Sequence, residues 1–270
     1  MRTRTIGGES VALVGQGTWQ MEHGRARAVD ALRAGVDAGM THIDTAEMYG
    51  GGAVEALVGE ALEGLRDRVF LASKVLPQNA SARGTARACE ASLRRLRTDR
   101  LDLYMLHWPG PHPLEQTVAA LERLVEQGKI RHFGVSNFDE NEIEEAARIA
   151  GPGRVACNQL CYHLAERHIE QAVIPACERH GIAVVGYSPF GSGRFPRSRV
   201  LDDIAARHDA TTRQVALAFL ARRALVIPKA ASRAHVLENA AAADLALAPE
   251  EVAAIDEAFP LRPRTQLPII

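Results

Sequence analysis

Short apolar runs alternate along the chain with longer segments in which apolar residues recur every three or four positions. The short runs hold four to six residues each, as expected for strands buried on both faces of a parallel sheet. They predict strands at Val11–Gly15, Thr41–Asp44, Val69–Lys74, Leu101–Leu106, His132–Ser136, Ala156–Gln159, Ala183–Tyr187 and Leu225–Pro228. The longer segments predict helices, among them Arg25–Ala38, Ala53–Leu65, Ala82–Leu96, Pro113–Gln127 and Asp139–Ala150.

Eight strand–helix units in 270 residues favour an α/β fold of the (β/α)8 TIM-barrel type over an open, doubly wound sheet. An open dinucleotide-binding sheet calls for GxGxxG after its first strand, and Gly15-Gln-Gly17 lacks the third glycine. Arg2–Ile6 and Ser10–Val14, joined by Gly7-Gly8, predict an N-terminal β-hairpin that plugs the barrel bottom. Pro249–Ala258 predicts an extra C-terminal helix. No linker divides the chain, so we expect one domain over residues 1–270.

Composition excludes several classes of function. A formal net charge of -1 gives no global field for nucleic acid or an anionic membrane, so we expect neither as a partner. The four cysteines form no CxxC pair, which favours free thiols in a reducing compartment. The charged start is no secretory signal, and no apolar run approaches the roughly 20 residues of a membrane span. We therefore predict a soluble, cytoplasmic protein.

Polar residues stand where three successive predicted strands end. Asp44 ends the second strand, Lys74 the third, and His107 follows the fourth, while Tyr49 lies five residues after Asp44. Separations of 30 and 33 residues each match one βα unit, so these side chains should meet at one mouth of the barrel, where barrel active sites lie. Each alone has a plainer interpretation, as an end cap, a surface ion pair or a packed residue. Together they make chemical sense as a unit.

Carbonyl reduction requires a hydride and a proton delivered to opposite ends of the C=O bond. A tyrosine hydroxyl has an ordinary pKa of about 10, and a shift of two units corresponds to about 2.7 kcal/mol. We expect Lys74 to lower the pKa of Tyr49 by stabilising its phenolate, and Asp44 to keep Lys74 charged and in place. A neutral His107 would donate an N–H to the substrate carbonyl.

Four segments carry a resemblance to a known family. They are THIDTAEMYG at 41–50, Ser73-Lys74, LYMLHWP at 103–109 and GVSNF at 134–138. With them the chain resembles the aldo-keto reductases from Gly15 to Asn239, and within that family the bacterial methylglyoxal and small-aldehyde reductases. The resemblance implies Tyr49 as the general acid, with Lys74, Asp44 and His107 in the roles just described.

The second half of the predicted barrel carries groups suited to a nicotinamide cofactor. Ser136, Asn137 and Gln159 present a hydroxyl and amides after strands five and six, and in the resembled family these positions hold the carboxamide; their plainer role is loop capping. Tyr187 is expected to stack on the nicotinamide. The loop after strand seven is expected to bind the pyrophosphate, chiefly through Ser192 and Arg194. The predicted cofactor-binding set also contains Gly17, Thr18, Ser188 and Phe190.

A basic segment follows the last predicted strand. Lys229 lies near a helix N-terminus that Ser232 can cap, a combination that suits the ribose 2′-phosphate of NADP. Glu238 and Asn239 lie about two turns into that helix, where the resembled family contacts adenine.

Two positions in this segment depart from the family pattern. Many members have Ser and Arg where this chain has Ala230 and His235, and both positions are kept as predicted cofactor contacts. A neutral histidine is a weaker phosphate partner than a bidentate arginine, which leaves Arg233 as a candidate substitute. Since Lys229 is present, we expect NADPH as the cofactor, with NADH possible.

Aromatic residues at the predicted mouth indicate substrate contacts. Trp19 and Trp108 both fall in strand-end loops, although packing explains them equally well, and Leu76 and Gln78 follow Lys74. The short tail Pro260–Ile270 is expected to close little over the mouth, which favours small or varied aldehydes.

Other functions stay open at this point. A Schiff-base lyase would use Lys74 as its nucleophile, and a cofactor-sensing regulatory barrel would bind the nucleotide with negligible turnover. No metal site is expected, because His107 and His112 lack ligand spacing. No heptad or exposed apolar stripe predicts an interface, so we expect a monomer or weak homo-oligomer that acts on a small carbonyl substrate.

Overall fold

The computed structural model describes residues 1–262 and 267–268 of the chain. Its strands are β1 (Thr3–Ile6), β2 (Glu9–Ala12), β3 (Gln16–Gly17), β4 (His42–Asp44), β5 (Phe70–Val75), β6 (Leu101–Leu106), β7 (Ile130–Ser136), β8 (Val155–Cys161), β9 (Ala183–Tyr187) and β10 (Leu225–Ile227). Strands β3 to β10 form one eight-stranded parallel sheet in chain order. Bridges from Val14 to Val226 and from Gly17 to Lys229 join its two edges, which confirms the predicted (β/α)8 barrel.

The first barrel strand lies later in the chain than the sequence predicts. Val11–Gly15 is only partly right as that strand, because Val11 and Ala12 belong to β2, whereas Val14 bridges to Val226 and β3 follows at Gln16–Gly17. A continuous apolar run does not distinguish a hairpin strand from a buried barrel strand. An ideal Cβ on Gly17 would lie 2.7 Å from the carbonyl oxygen of Ile227, so glycine permits the close approach of backbones where the barrel closes.

The N-terminal hairpin covers the end of the barrel opposite the mouth. Strands β1 and β2 pair antiparallel around Gly7 and Gly8, as predicted. Ile6 and Val11 are buried in one apolar cluster with inward-facing barrel residues such as Phe70, which begins β5. Since Phe70 lies at the amino end of its strand, the hairpin plugs the bottom of the barrel.

Ten α-helices within the described residues surround the sheet, and the predicted ones are present with ends shifted by a few residues at most. They are α1 (Arg25–Asp37), α2 (Ala53–Ala61), α3 (Ala82–Leu96), α4 (Leu114–Glu126), α5 (Glu140–Ala150), α6 (Val173–Arg179), α7 (Arg199–Arg207), α8 (Thr212–Leu220), α9 (Arg233–Ala241) and α10 (Pro249–Ala258). Single 3₁₀ turns lie at Tyr49–Gly52, Arg66–Arg68, Pro77–Asn79, His168–Glu170 and Ala242–Asp244. Ser232 caps α9 as predicted, because its side chain accepts from the His235 amide.

Alternation along the strands divides the apolar core in two. On β5, Leu71 and Val75 pack outward against the helices, whereas Phe70 and Ala72 face the barrel interior. Lys74 holds the next inward position, at the carboxyl end of β5. The strand period therefore places an ammonium group inside the mouth of the barrel.

The described part of the C-terminal tail contacts the barrel. Of the predicted tail Pro260–Ile270, residues 263–266 and 269–270 lie outside the described residues. Leu267 packs against the core, and the carbonyl oxygen of Pro268 lies 3.2 Å from the hydroxyl oxygen of Tyr187. The described part of the tail therefore contacts Tyr187 at Pro268, and the expectation that the tail closes little over the mouth stays a prediction. Separately, none of the helices in the described part of the chain has the length and apolarity of a membrane span.

Candidate active site

The mouth of the barrel holds a pocket built from the ends of most strands. Its lining includes Gly17, Thr18, Trp19, Asp44, Met48, Tyr49, His107, Trp108, Asn137, Gln159, Tyr187, Ser188, Ile227 and Lys229. Most of the residues predicted for catalysis and for the nicotinamide thus face one cavity. Thr18 also fixes the strand ends, since its hydroxyl donates to the carbonyl of Asp44 at 2.8 Å.

Lys74 lies at the centre of the predicted tetrad. Its Nζ donates to Asp44 Oδ1 at 2.6 Å, to the carbonyl of Thr45 at 3.0 Å and to Tyr49 Oη at 3.2 Å. Lys74 is fully buried and Asp44 is 2% exposed, so this ion pair is shielded from solvent. Tyr49 begins a 3₁₀ turn in which Gly50 adopts a left-handed backbone, which returns the chain into α2 with the tyrosine facing the pocket.

Burial and charge act in opposite directions on the pKa values of this pair. Burial lowers the pKa of Lys74, but Asp44 and Tyr49 outweigh it, and the pKa is raised overall. Burial raises the pKa of Tyr49, and it outweighs the lowering by Lys74. The expectation that Lys74 lowers this pKa on balance is therefore wrong, because the sequence shows the neighbour but not the desolvation. At neutral pH the site holds an ammonium beside a protonated phenol.

His107 stands beside the phenol as a neutral ring. Burial, and then the charge of Lys74, lowers its pKa to about 2. The imidazole centroid lies 5.9 Å from that of Tyr49 and 4.7 Å from that of Trp108. Asn137 Nδ2 donates to the His107 carbonyl at 3.0 Å and so fixes the backbone of the histidine. A neutral imidazole carries one N–H and can act as a hydrogen-bond donor without a positive charge.

The amide groups on the other side of the pocket are linked to one another. Gln159 Nε2 donates to Asp44 Oδ2 at 2.7 Å, and Ser136 Oγ donates to the Gln159 carbonyl at 2.8 Å. Tyr187 Oη donates to Asn137 Oδ1 at 2.9 Å. Asn137, Gln159 and Tyr187 line the pocket, whereas the buried Ser136 lies behind them. Ser136 thus supports the pocket lining and does not face it.

Aromatic and apolar side chains form the outer part of the mouth. Trp19 and Trp108 line it as predicted, together with Met48, which the sequence reasoning missed although it directly precedes Tyr49. Leu76 lies elsewhere and does not line this pocket; its amide donates to the carboxylate of Glu47 at 2.7 Å. The 3₁₀ turn Pro77–Asn79 begins directly after Leu76, and Gln78 lies within it, also outside the pocket lining.

A groove continues from the mouth along the loop that follows β9. Ser188, Phe190 and Ser192 line it, with Trp19, Gln20, Pro189, Gly193 and Lys229. Ser188 and Ser192 both have left-handed backbones, with φ of 51° each, a conformation that is uncommon outside glycine and often marks functional sites. Arg194, the other predicted pyrophosphate ligand, is exposed and lies outside this lining.

The groove leads to a third region, between the β9 loop and helices α8 and α9. It is lined by Phe190, Gly193, Phe195, Arg213, Lys229, Ala230, His235, Glu238 and Asn239. All five residues predicted for the far end of the cofactor, Lys229, Ala230, His235, Glu238 and Asn239, are present. Phe195 and Arg213 were missed, since they come from loop and helix positions that carry no motif. Arg233 does not line the region, and its guanidinium lies 3.8 Å from Asp30 instead.

Within the described ranges, no group of three or more His, Cys, Asp or Glu side chains is arranged to hold a metal ion.

Comparison with known proteins gives consistent matches over almost the whole chain. The profile of the Aldo/keto reductase family matches residues 13–259. Methylglyoxal reductase YeaE of Escherichia coli is 47% identical over 264 residues, covering 94% of this chain and 93% of that protein. Glyoxal reductase of Bacillus subtilis is 34% identical, covering 90% of this chain and 87% of its own. A crystal structure of an aldo/keto reductase from Klebsiella pneumoniae in complex with NADP and acetate has a TM-score of 0.94, with 45% identity and coverage of 100% and 99% of the two chains.

Proposed function

Because the chain belongs to the aldo/keto reductase family, we propose that this oxidoreductase reduces small aldehydes with NADPH and uses Tyr49 as the general acid. The observation that carries the proposal is the 3.2 Å contact between Tyr49 Oη and Lys74 Nζ inside the barrel mouth. A protonated phenol held by a buried ammonium is a proton donor whose conjugate base is stabilised at the moment it forms.

The residues present fit a nicotinamide dinucleotide. Asn239 is 3% exposed, and its Nδ2 is buried without a hydrogen-bond partner among the described residues, at the end of the groove farthest from the tetrad. A buried amide donor without a partner is costly, so a ligand with ring acceptors, such as adenine, fits this position. Bound NADPH supplies the hydride. Asn137, Gln159 and Tyr187 would hold its nicotinamide, Ser188 and Ser192 its pyrophosphate, and Lys229 its 2′-phosphate.

The chain's own groups supply the proton. Tyr49 keeps its proton at neutral pH because its pKa is raised, and it gives that proton to the carbonyl oxygen as negative charge develops there. Lys74 stabilises the phenolate that results, and Asp44 keeps Lys74 charged. The neutral His107 donates an N–H that orients the substrate oxygen toward Tyr49.

The mouth favours small carbonyl substrates. Trp19, Trp108 and Met48 narrow it with apolar surface, and the tail at Pro268 reaches the Tyr187 side. The relatives in Escherichia coli and Bacillus subtilis are a methylglyoxal reductase and a glyoxal reductase. We therefore propose a short aldehyde of the methylglyoxal class as substrate. The four cysteines are buried and free, which fits the proposed cytoplasmic location.

The Schiff-base alternative is disfavoured by the state of Lys74. A nucleophilic lysine needs a depressed pKa, whereas the pKa of this one is raised by Asp44 and Tyr49 against the effect of burial. Its Nζ is also fully engaged, with three acceptors within 3.2 Å.

The test replaces Tyr49 by phenylalanine and follows NADPH oxidation by methylglyoxal. We expect kcat to fall at least about a hundredfold, because a general acid contributes on the order of 10² to 10⁴. The dissociation constant for NADPH, measured by calorimetry, should stay within about twofold. Tyr104→Phe is the matched control: its hydroxyl is buried on the outer side of β6, away from the mouth, and activity should persist.

Two results would contradict the proposal. Full activity in Tyr49→Phe rejects the assigned acid. A wild-type protein that binds NADPH tightly but turns over no aldehyde or ketone supports the regulatory, cofactor-sensing barrel instead.

A further inference from the structure

Three basic side chains face the far end of the groove. Arg213 comes from the first turn of α8, Lys229 follows β10, and His235 lies in the first turn of α9. In the described part of the chain, none of these three side chains has an ion-pair or hydrogen-bond partner. Basic groups that converge without a carboxylate partner form a site prepared for an anion.

Arg213 is held by aromatic rings and not by acceptors. Its guanidinium carbon lies 5.8 Å from the ring centroid of Phe190 and 5.5 Å from that of Phe195. The two rings pack edge to face, with centroids 5.8 Å apart. Cation–π contact uses the face of the guanidinium, so its in-plane N–H donors stay available. The two rings contact the exposed guanidinium and leave its hydrogen-bond donors unused.

Two neighbouring groups define what the region would bind. The unpartnered, buried Nδ2 of Asn239 lies in the same lining and calls for a ligand acceptor. Glu238 is the carboxylate in the lining, and its Oε1 accepts from the Thr211 hydroxyl at 2.7 Å. It lies beyond ion-pair distance of Arg213, so the positive charge of the arginine is not neutralised there.

The two other candidates for a bidentate phosphate donor are weaker. His235 has no second parallel N–H, and a neutral imidazole carries no charge. Arg233 lies outside the lining and approaches Asp30. Arg213 is thus the guanidinium that shares the lining of the region with Lys229.

We propose that Arg213 is a specificity-determining residue that binds the 2′-phosphate of NADPH together with Lys229. The inference rests on the proposed function, because it assumes that NADPH occupies the groove. It deepens that function by assigning the preference for NADPH over NADH to a residue of α8.

The test measures binding by isothermal titration calorimetry and needs no turnover. The ligands are NADPH, NADH and adenosine 2′,5′-bisphosphate, titrated into the wild-type chain and the variants Arg213→Ala and Arg213→Lys. Arg222→Ala is the matched control, since Arg222 is also an exposed arginine stacked on a ring, 5.7 Å from the centroid of Phe219, but lies outside the groove.

Arg213→Ala should weaken NADPH and the bisphosphate about tenfold, which is the effect of losing about 1.4 kcal/mol of charge-assisted hydrogen bonding. In Arg213→Ala, the dissociation constant of NADH should change less than twofold. The dissociation constant of NADPH in Arg213→Lys should lie between those of the wild type and Arg213→Ala, and that in Arg222→Ala should equal the wild-type value. The loss of NADPH affinity in Arg213→Ala should be smaller at high salt, because the contact is electrostatic.

Three outcomes would overturn the inference. Equal weakening of NADPH and NADH in Arg213→Ala would mean that Arg213 stacks on adenine and does not read the phosphate. Unchanged NADPH binding in that variant would leave the 2′-phosphate to Lys229 alone. If the wild-type chain binds neither NADPH nor the bisphosphate, the proposed function fails with it, a result distinct from the other two.

Discussion

Replacing Asp44 by asparagine removes the carboxylate that compensates a fully buried ammonium. Asp44 Oδ1 lies 2.6 Å from Lys74 Nζ, and the two side chains are 2% and 1% exposed. Removing one partner of such a pair costs about 3 to 5 kcal/mol, because the other charge is left buried and unpaired. Asparagine keeps one oxygen acceptor, so we expect a loss at the lower end of this range, about 3 kcal/mol in the free energy of unfolding.

The pH dependence of this loss has a definite sign. In the wild type the pKa of Lys74 is raised, so the pair contributes its full stability below the ordinary lysine pKa and loses it only as pH rises through the raised value. In Asp44→Asn, burial becomes the dominant influence and lowers the pKa of Lys74. Deprotonation then relieves the buried charge, so the deficit relative to wild type should shrink as pH rises from 6 to 9.

Urea unfolding followed by circular dichroism at pH 6, 7.5 and 9 measures these differences. Asp256→Asn is the control, since its carboxylate is 47% exposed and pairs with an arginine that Glu170 also holds. Arg167 is buried but keeps the carboxylate of Glu170 as a partner, so loss of the half-exposed charge of Asp256 should cost at most about 1 kcal/mol. If Asp44→Asn unfolds within about 1 kcal/mol of wild type at every pH, the buried pair does not carry the energy assigned to it.

Three further predictions follow from the same geometry. Lys229→Met should raise the dissociation constant of NADPH at least tenfold and that of NADH little, measured by quenching of tryptophan fluorescence; equal changes would reject the 2′-phosphate contact. The pKa of Tyr49 is raised and that of His107 is lowered to about 2, so each side chain keeps one protonation state from pH 6 to 9. We therefore expect kcat/KM for aldehyde reduction to be constant over this range. A fall in kcat/KM centred near pH 7 would contradict these protonation states. Gly17→Ala should cost about 1 to 3 kcal/mol in urea unfolding, because its Cβ would lie 2.7 Å from the Ile227 carbonyl oxygen; unchanged stability would show that the barrel closure relaxes freely.

What could be predicted from the sequence follows the periodicity of strands and helices. Asp44, Lys74 and His107 stand one βα unit apart, and that spacing alone places them at one mouth. The strand period also places Lys74 on the inward face with Ala72. The prediction that Leu76 contacts substrate is wrong, because the 3₁₀ turn that begins at Pro77 leaves Leu76 outside the pocket lining.

The remaining features depend on burial and on contacts between distant segments. The direction of the Tyr49 pKa shift is set by desolvation, which no local motif reports. Arg213 meets Phe190 and Phe195 only because α8 packs beside the loop after β9. The division of the apolar run 11–15 between hairpin and barrel is likewise decided by pairing, as the Val14–Val226 bridge shows.

Asp44 connects the two halves of the site through its separate oxygen atoms. Oδ1 accepts from Lys74, Oδ2 accepts from Gln159, and its carbonyl accepts from the Thr18 hydroxyl. The tetrad side of the pocket and its amide side are therefore held by one buried carboxylate. Any movement of that group changes the position of both sides together, since its two oxygens have a fixed separation. The buried carboxylate therefore fixes the position of Lys74 relative to Gln159.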